Sequence, residues 1–120
     1  MAFAVEEIPN EANLFRKVHP HFFNRETGMV SSAAFDKDDM SVNWEKYRSA
    51  EQSADEKSAV VVALLARDCR ELEQTVIHTP IEPGEPFGPN QSHTEVCGKK
   101  NGSVKTRLKD KARIVWRRAG

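Results

Sequence analysis

Two cysteines, one tyrosine and two tryptophans among 120 residues leave several classes of protein out. Cys69 and Cys97 stand 28 positions apart with no partner at Cys-x-x-Cys spacing, so neither a disulfide framework nor a paired-cysteine metal or redox site is expected. Both thiols are expected to be free. The longest unbroken apolar run, Ala59 to Ala66, holds eight residues, whereas a membrane-crossing helix takes about 20. No membrane partner follows. Near the N-terminus, Glu6 and Glu7 occupy the place where a secretory leader would carry Lys or Arg ahead of a long apolar stretch. The chain therefore reads as cytoplasmic. Walker and Rossmann glycine loops and the His-Glu-x-x-His pattern are also missing, and no cofactor or metal is expected.

What is present is enough for one domain over residues 1–120, with a modest core that needs no staples. The net charge of zero hides a strong asymmetry. From Lys99 to Gly120 there are nine basic residues against the single acid Asp110, a net of +8; the first 98 residues hold nine bases against seventeen acids, a net of −8. Such a split suits a basic arm for nucleic acid or an acidic partner, or a basic element folded back on its own acidic body.

Along the chain, Asn13 to Val18 reads as a short strand ended by His19-Pro20, with Leu14, Arg16 and Val18 on one face. Met40-Ser41-Val42-Asn43-Trp44 alternates apolar with polar, the mark of a half-buried strand, and is expected to form a hairpin with Ser31–Phe35 across Asp36–Asp39. Ser49 and Ser53 suit the start of a short helix. Val60 to Val62 favours a strand, Leu65, Cys69 and Leu72 mark a short amphipathic helix, and Thr75–His78 and His93–Cys97 read as further strands. Between those last two strands, residues 80–90 contain four of the six prolines and two glycines, which predicts an exposed connection. From a Ser103 cap, Val104, Leu108, Ala112 and Val115 at helical spacing predict a basic C-terminal helix. The expected class is α+β: a small mixed or antiparallel sheet with two or three helices.

Several constellations bear chemistry. His19 and His21, joined by His93 or Cys97, have donor types suited to zinc but lack a second paired arm. His78-Thr79 and His93-Thr94 approach the pattern of two-histidine phosphoesterases, which need the hydroxyl two positions on; an adjacent threonine points to the opposite face of a strand. Arg16, then Ser31 and Ser32, then His78, His93 and Glu95 occur in an order similar to that of ADP-ribosyl-transferring folds. There an Arg or His grips the dinucleotide, a Ser-bearing strand lines the cleft and a Glu orients the nucleophile. Simpler roles exist for each residue: Arg16 beside Leu14 and Phe15, and the serines in turn hydrogen bonds. Finally, Lys99, Lys100, Ser103, Lys105 and Arg107 lead into the C-terminal helix, where backbone N–H groups and ammonium groups could meet an anion.

Leu14–Val18, Ser31–Phe35, Met40–Trp44 and Val76–Pro80 together resemble a group of small bacterial proteins without an assigned activity. That resemblance implies a bacterial cytosolic protein of one compact domain and transfers no catalytic residue.

Two functions compete. The leading expectation is a noncatalytic interaction or regulatory module, its basic C-terminal helix set against an acidic surface of the same chain, a second copy in a homo-oligomer, or a partner protein. The alternative is a small enzyme acting on a nucleotide or other phosphate compound, which requires at least three of Arg16, Ser31, Ser32, His78 and His93 to converge in one pocket. Nucleic-acid-backbone binding is a further alternative, supplied with phosphate-neutralising bases but with Trp116 as the only aromatic in the basic segment.

Overall fold

Alternation of side chains decides the architecture. A computed structural model describes residues 3–119 and shows an α+β fold. It is built on a six-stranded sheet, with a two-stranded ribbon and three α-helices. The strands are β1 (Asn13–Val18), β2 (Phe23–Asn24), β3 (Met29–Val30), β4 (Asp39–Trp44), β5 (Val60–Leu65), β6 (Thr75–His78), β7 (His93–Cys97) and β8 (Arg113–Arg117). The helices are α1 (Ala50–Ser53), α2 (Ala66–Glu71) and α3 (Gly102–Lys111). The large sheet has the order β6-β7-β4-β1-β5-β8 with every neighbouring pair antiparallel, and β2 and β3 form the ribbon.

The sheet divides the core in two. On one face Leu14, Val18, Met40, Val42, Trp44, Val60, Val62, Leu64 and Val96 join Phe35, Cys69 and Leu108. On the other, Phe15, Val61 and Ala63 form a smaller cluster with Ala50, Ala54 and Trp116 packed against it. Strand β5 therefore buries both of its faces, and its sequence is a continuous apolar run with no period.

Three expectations need correction, two of backbone conformation and one of a helix cap. Ser31–Phe35 is not a strand and makes no hairpin with β4, whose sheet neighbours are β1 and β7. Ser31 Oγ instead accepts the Ala33 N–H at 3.2 Å and caps a 3-10 turn over Ser32–Phe35. The serine captures its own backbone before a ladder can form, and the turn buries Ala34 and Phe35. The C-terminal helix stops at Lys111: Ala112 is extended, and residues 113–117 become the edge strand β8. Val104, Leu108 and Ala112 do face the core, but Val115 does not. Ile114, Val115 and Trp116 favour extended backbone, and β5 offers an edge to pair with.

The cap of α3 also differs from the expectation. Asn101, not Ser103, is the N-cap, its side-chain oxygen accepting the Val104 N–H at 3.0 Å. Replacing Asn101 by Ala is expected to cost about 1 kcal/mol in a denaturant melt. Exposed Ser103→Ala should stay within roughly 0.5 kcal/mol; equal costs would contradict this cap.

The 80–90 connection is exposed over Pro83–Phe87 and is closed at its base by an Ile81–Asn90 bridge. Phe87 stands 93% exposed with φ +68°.

Candidate functional site

The five residues of the enzymatic alternative do not converge. Arg16 lies on the core-facing side of β1, its Nε donating to Ala34 O at 3.2 Å and its Nη1 to Ser41 O at 2.9 Å. Ser31 is a cap, and Ser32 sits in the 3-10 turn. His78 is buried: Nδ1 accepts the Glu6 N–H at 3.0 Å, which leaves Nε2–H to donate to Gln91 O at 2.7 Å. Its ring packs edge-on against Trp44 and stacks on Tyr47. Both nitrogens have structural partners.

His93, on the neighbouring strand β7, points to the opposite face, because β6 pairs His78 with Thr94. Its Nδ1 is 2.9 Å from Thr79 O, a carbonyl that fixes this nitrogen as the donor, and its Nε2 is 3.3 Å from Ser41 Oγ. Arg16, Ser31 and His93 line three separate clefts. The pocket that the enzymatic alternative requires is not assembled.

The anion set disperses as well. Lys99 is exposed, but Lys100 is buried and its ammonium donates to Val96 O at 2.8 Å, Gly98 O at 3.1 Å and Asp38 O at 3.1 Å. All three ammonium N–H groups have a carbonyl, and the group ties the end of β7 to the start of β4. Burial pushes its pKa down. Ser103 is exposed away from any cap, Lys105 is half-buried, and Arg107 faces a cleft shared with Asp68, Glu71 and Lys111. At the α3 N-terminus, the Asn101 side chain holds the Val104 N–H that an anion would use.

No group of three or more His, Cys, Asp or Glu side chains among the described residues is arranged to hold a metal ion. His19 Nδ1 accepts the His21 N–H. Both cysteines are free thiols; burial raises Cys69 to about 12, and desolvation also raises half-buried Cys97. With a thiol-reactive dye near pH 8, neither is expected to label rapidly in the folded protein, and Cys69 should label only at the rate of unfolding. Prompt labelling of Cys69 would contradict its burial.

What remains is the basic C-terminal edge. Strand β8 is the last strand of the sheet, paired with β5 on one side only. Between Val61 and Val62 the register shifts, so Val115 bulges out, and both Ile114 and Val115 are 42% exposed. The cations around it are held by neutral oxygens. Arg113 donates to Asn13 Oδ1, Arg117 to Arg25 O, and Arg118 to Ser58 O and Asp55 O. Arg117 also lies over the Phe23 ring. The two ion pairs between described residues are Lys17–Asp55 and Lys46–Glu6, and neither includes a tail base. Across clefts, α3 faces Asp68 and Glu71 of α2, opposite Arg107 and Lys111, and Glu26, opposite Lys109.

The strand signal was present in Arg-Ile-Val-Trp-Arg, whose β-branched and aromatic residues suit a sheet better than a helix. No helix among the described residues is long and apolar enough to cross a membrane. Neither a protein-family model, nor a curated protein, nor a solved structure matches the chain.

Proposed function

We propose that this protein is a noncatalytic interaction module that takes an acidic, extended segment of a partner protein along the free edge of β8. The observation that carries this reading is an unpaired strand edge flanked by arginines, none of which is ion-paired to a carboxylate of a described residue. An edge strand presents unused N–H and C=O groups that another chain can pair with. Arg113 and Arg117 on the strand, with Lys109 and Lys111 at the end of α3, set the sign of charge the partner must carry.

Charge also argues against the other occupants. A second copy pairing antiparallel about Val115 would put Arg113 opposite Arg117 twice, and like charges directly opposite are destabilising. The chain's own acids do not neutralise the edge, since its arginines meet neutral oxygens. A nucleic-acid strand would lack a stacking platform here, because Trp116 is packed against the Phe15 cluster and covered by Arg118. The setting we propose is the cytosol, where both thiols stay reduced.

Fluorescence anisotropy with a labelled peptide of alternating Glu and Val tests the proposal. Binding that weakens as salt rises supports it, provided that an alternating Lys and Val peptide fails to bind. Equal binding of both peptides, or tighter binding of a single-stranded oligonucleotide, overturns it.

A further inference from the structure

Arg16 is out of place for a sheet residue. It occupies a core-facing position of β1 opposite Val62, and its neighbours on that face of the strand, Leu14 and Val18, are buried and apolar. Taking a guanidinium out of water is costly unless its charge and its donors are met. Here they are met only in part. Arg16 is half-buried: Nε and Nη1 reach two backbone carbonyls, while Nη2 makes no hydrogen bond to the described residues and stays accessible to solvent. No carboxylate of those residues forms an ion pair with it; burial works against its charge, and only the more distant field of Asp36 supports it.

A cleft of about 350 Å³ opens beside this guanidinium, within the range of about 300–1,000 Å³ typical of small-molecule sites. Its walls carry Arg16, Lys17, Lys37 and Lys57 against Asp36 and Asp55, a net of +2 in a chain whose total is zero. Asp55 is already engaged: its carboxylate takes the Lys17 ammonium, the Lys57 N–H and the Ser58 hydroxyl. Positive charge is therefore left in excess. The remaining wall is mostly apolar, from Val18, Phe22, Ala33 and Ala34, with His19 and Ser58 as its polar members.

We infer that the cleft beside Arg16 binds a small organic anion, a carboxylate or phosphate monoester, with its charged oxygens on the guanidinium and its apolar body against Phe22. A planar fork of N–H donors suits either oxyanion, and the half-enclosed cleft suits a small body rather than a polypeptide. The site lies on β1 and the 3-10 turn, apart from the β8 edge, and does not depend on the function proposed for that edge.

Calorimetric and NMR titrations with phenyl phosphate and benzoate, with phenol as the uncharged control, test the inference. At least one of the two anions is expected to bind saturably and to shift the Arg16 Nε–H, Phe22 and Ala33 signals. Phenol should not. Arg16→Gln should weaken the binding about tenfold or more, equivalent to at least about 1.4 kcal/mol. That variant also gives up the bonds to Ala34 and Ser41, so the exposed rim variant Lys37→Glu/Lys57→Glu provides a second test with the fold intact. It should weaken binding severalfold, while Arg113→Glu/Arg117→Glu should leave it unchanged. Binding of phenol as tight as that of the anions, no saturable binding of either anion at millimolar concentration, or anion binding indifferent to the rim variant would overturn the inference.

Discussion

The double variant Arg113→Glu/Arg117→Glu is expected to bind the alternating Glu and Val peptide at least about thirtyfold more weakly than the natural chain, roughly 2 kcal/mol at 25 °C. Exposed ion pairs are individually worth only about 0.2–1 kcal/mol. Reversing two cations, however, removes two attractions and introduces two repulsions at the same places. The loss should concentrate at low salt and shrink as the charges are screened. Stability should change little, because the guanidinium groups bond to an asparagine oxygen and a carbonyl near the surface and do not fill the core. A circular-dichroism melt alongside the binding assay separates the two effects. A fully folded variant that keeps its affinity would remove the role assigned to β8.

Replacing Lys100 by Met has the opposite profile: stability should fall by about 2–3 kcal/mol while peptide affinity stays within about twofold. Met preserves much of the volume of the aliphatic stem but donates nothing. The carbonyls of Asp38, Val96 and Gly98 would each lose the ammonium, and a buried acceptor left without its partner loses more than the net value of the bond. Lys99→Met, one residue away and exposed, is the control and should be nearly neutral in stability. If Lys100→Met instead weakened anion or peptide binding and left the melt unchanged, the ammonium would be a ligand group and not a clasp.

Much of the sheet was legible because its strands carry local signals. Met40, Val42 and Trp44 alternate with polar residues, and all three are buried. His19-Pro20 closes β1, and Gly98 follows β7 with φ +148°, where an added Cβ would come within 2.7 Å of the Gln74 side chain. The two errors of backbone conformation arose where a distant part of the chain, or a competing local bond, decides it. Residues 113–117 continue a helical spacing until β5 offers them an edge, and Ser31 is as good a cap as it is a strand residue.

The candidate site was less legible, for a geometric reason. His78 closes β6, His93 opens β7 and both sit beside threonines, yet the antiparallel pairing of β6 with β7 sends their rings to opposite faces. The adjacency that spoiled the repeated His-Thr pattern reappears across strands, where His93 Nδ1 meets Thr79. Lys99 and Lys100 look alike within a basic run. The turn at Gly98 leaves the first exposed and directs the second onto three carbonyls. The charge of the tail was evident from composition; that it borders an unpaired strand edge required the fold.

Amide hydrogen exchange of β8, measured with and without the acidic peptide, tests the role of that edge most directly. The proposal predicts that amides within residues 113–117 which exchange freely in the isolated protein become protected when the peptide binds, and that added salt abolishes this protection. Peptide binding that leaves every β8 amide unprotected, or that protects them equally at high salt, would contradict it.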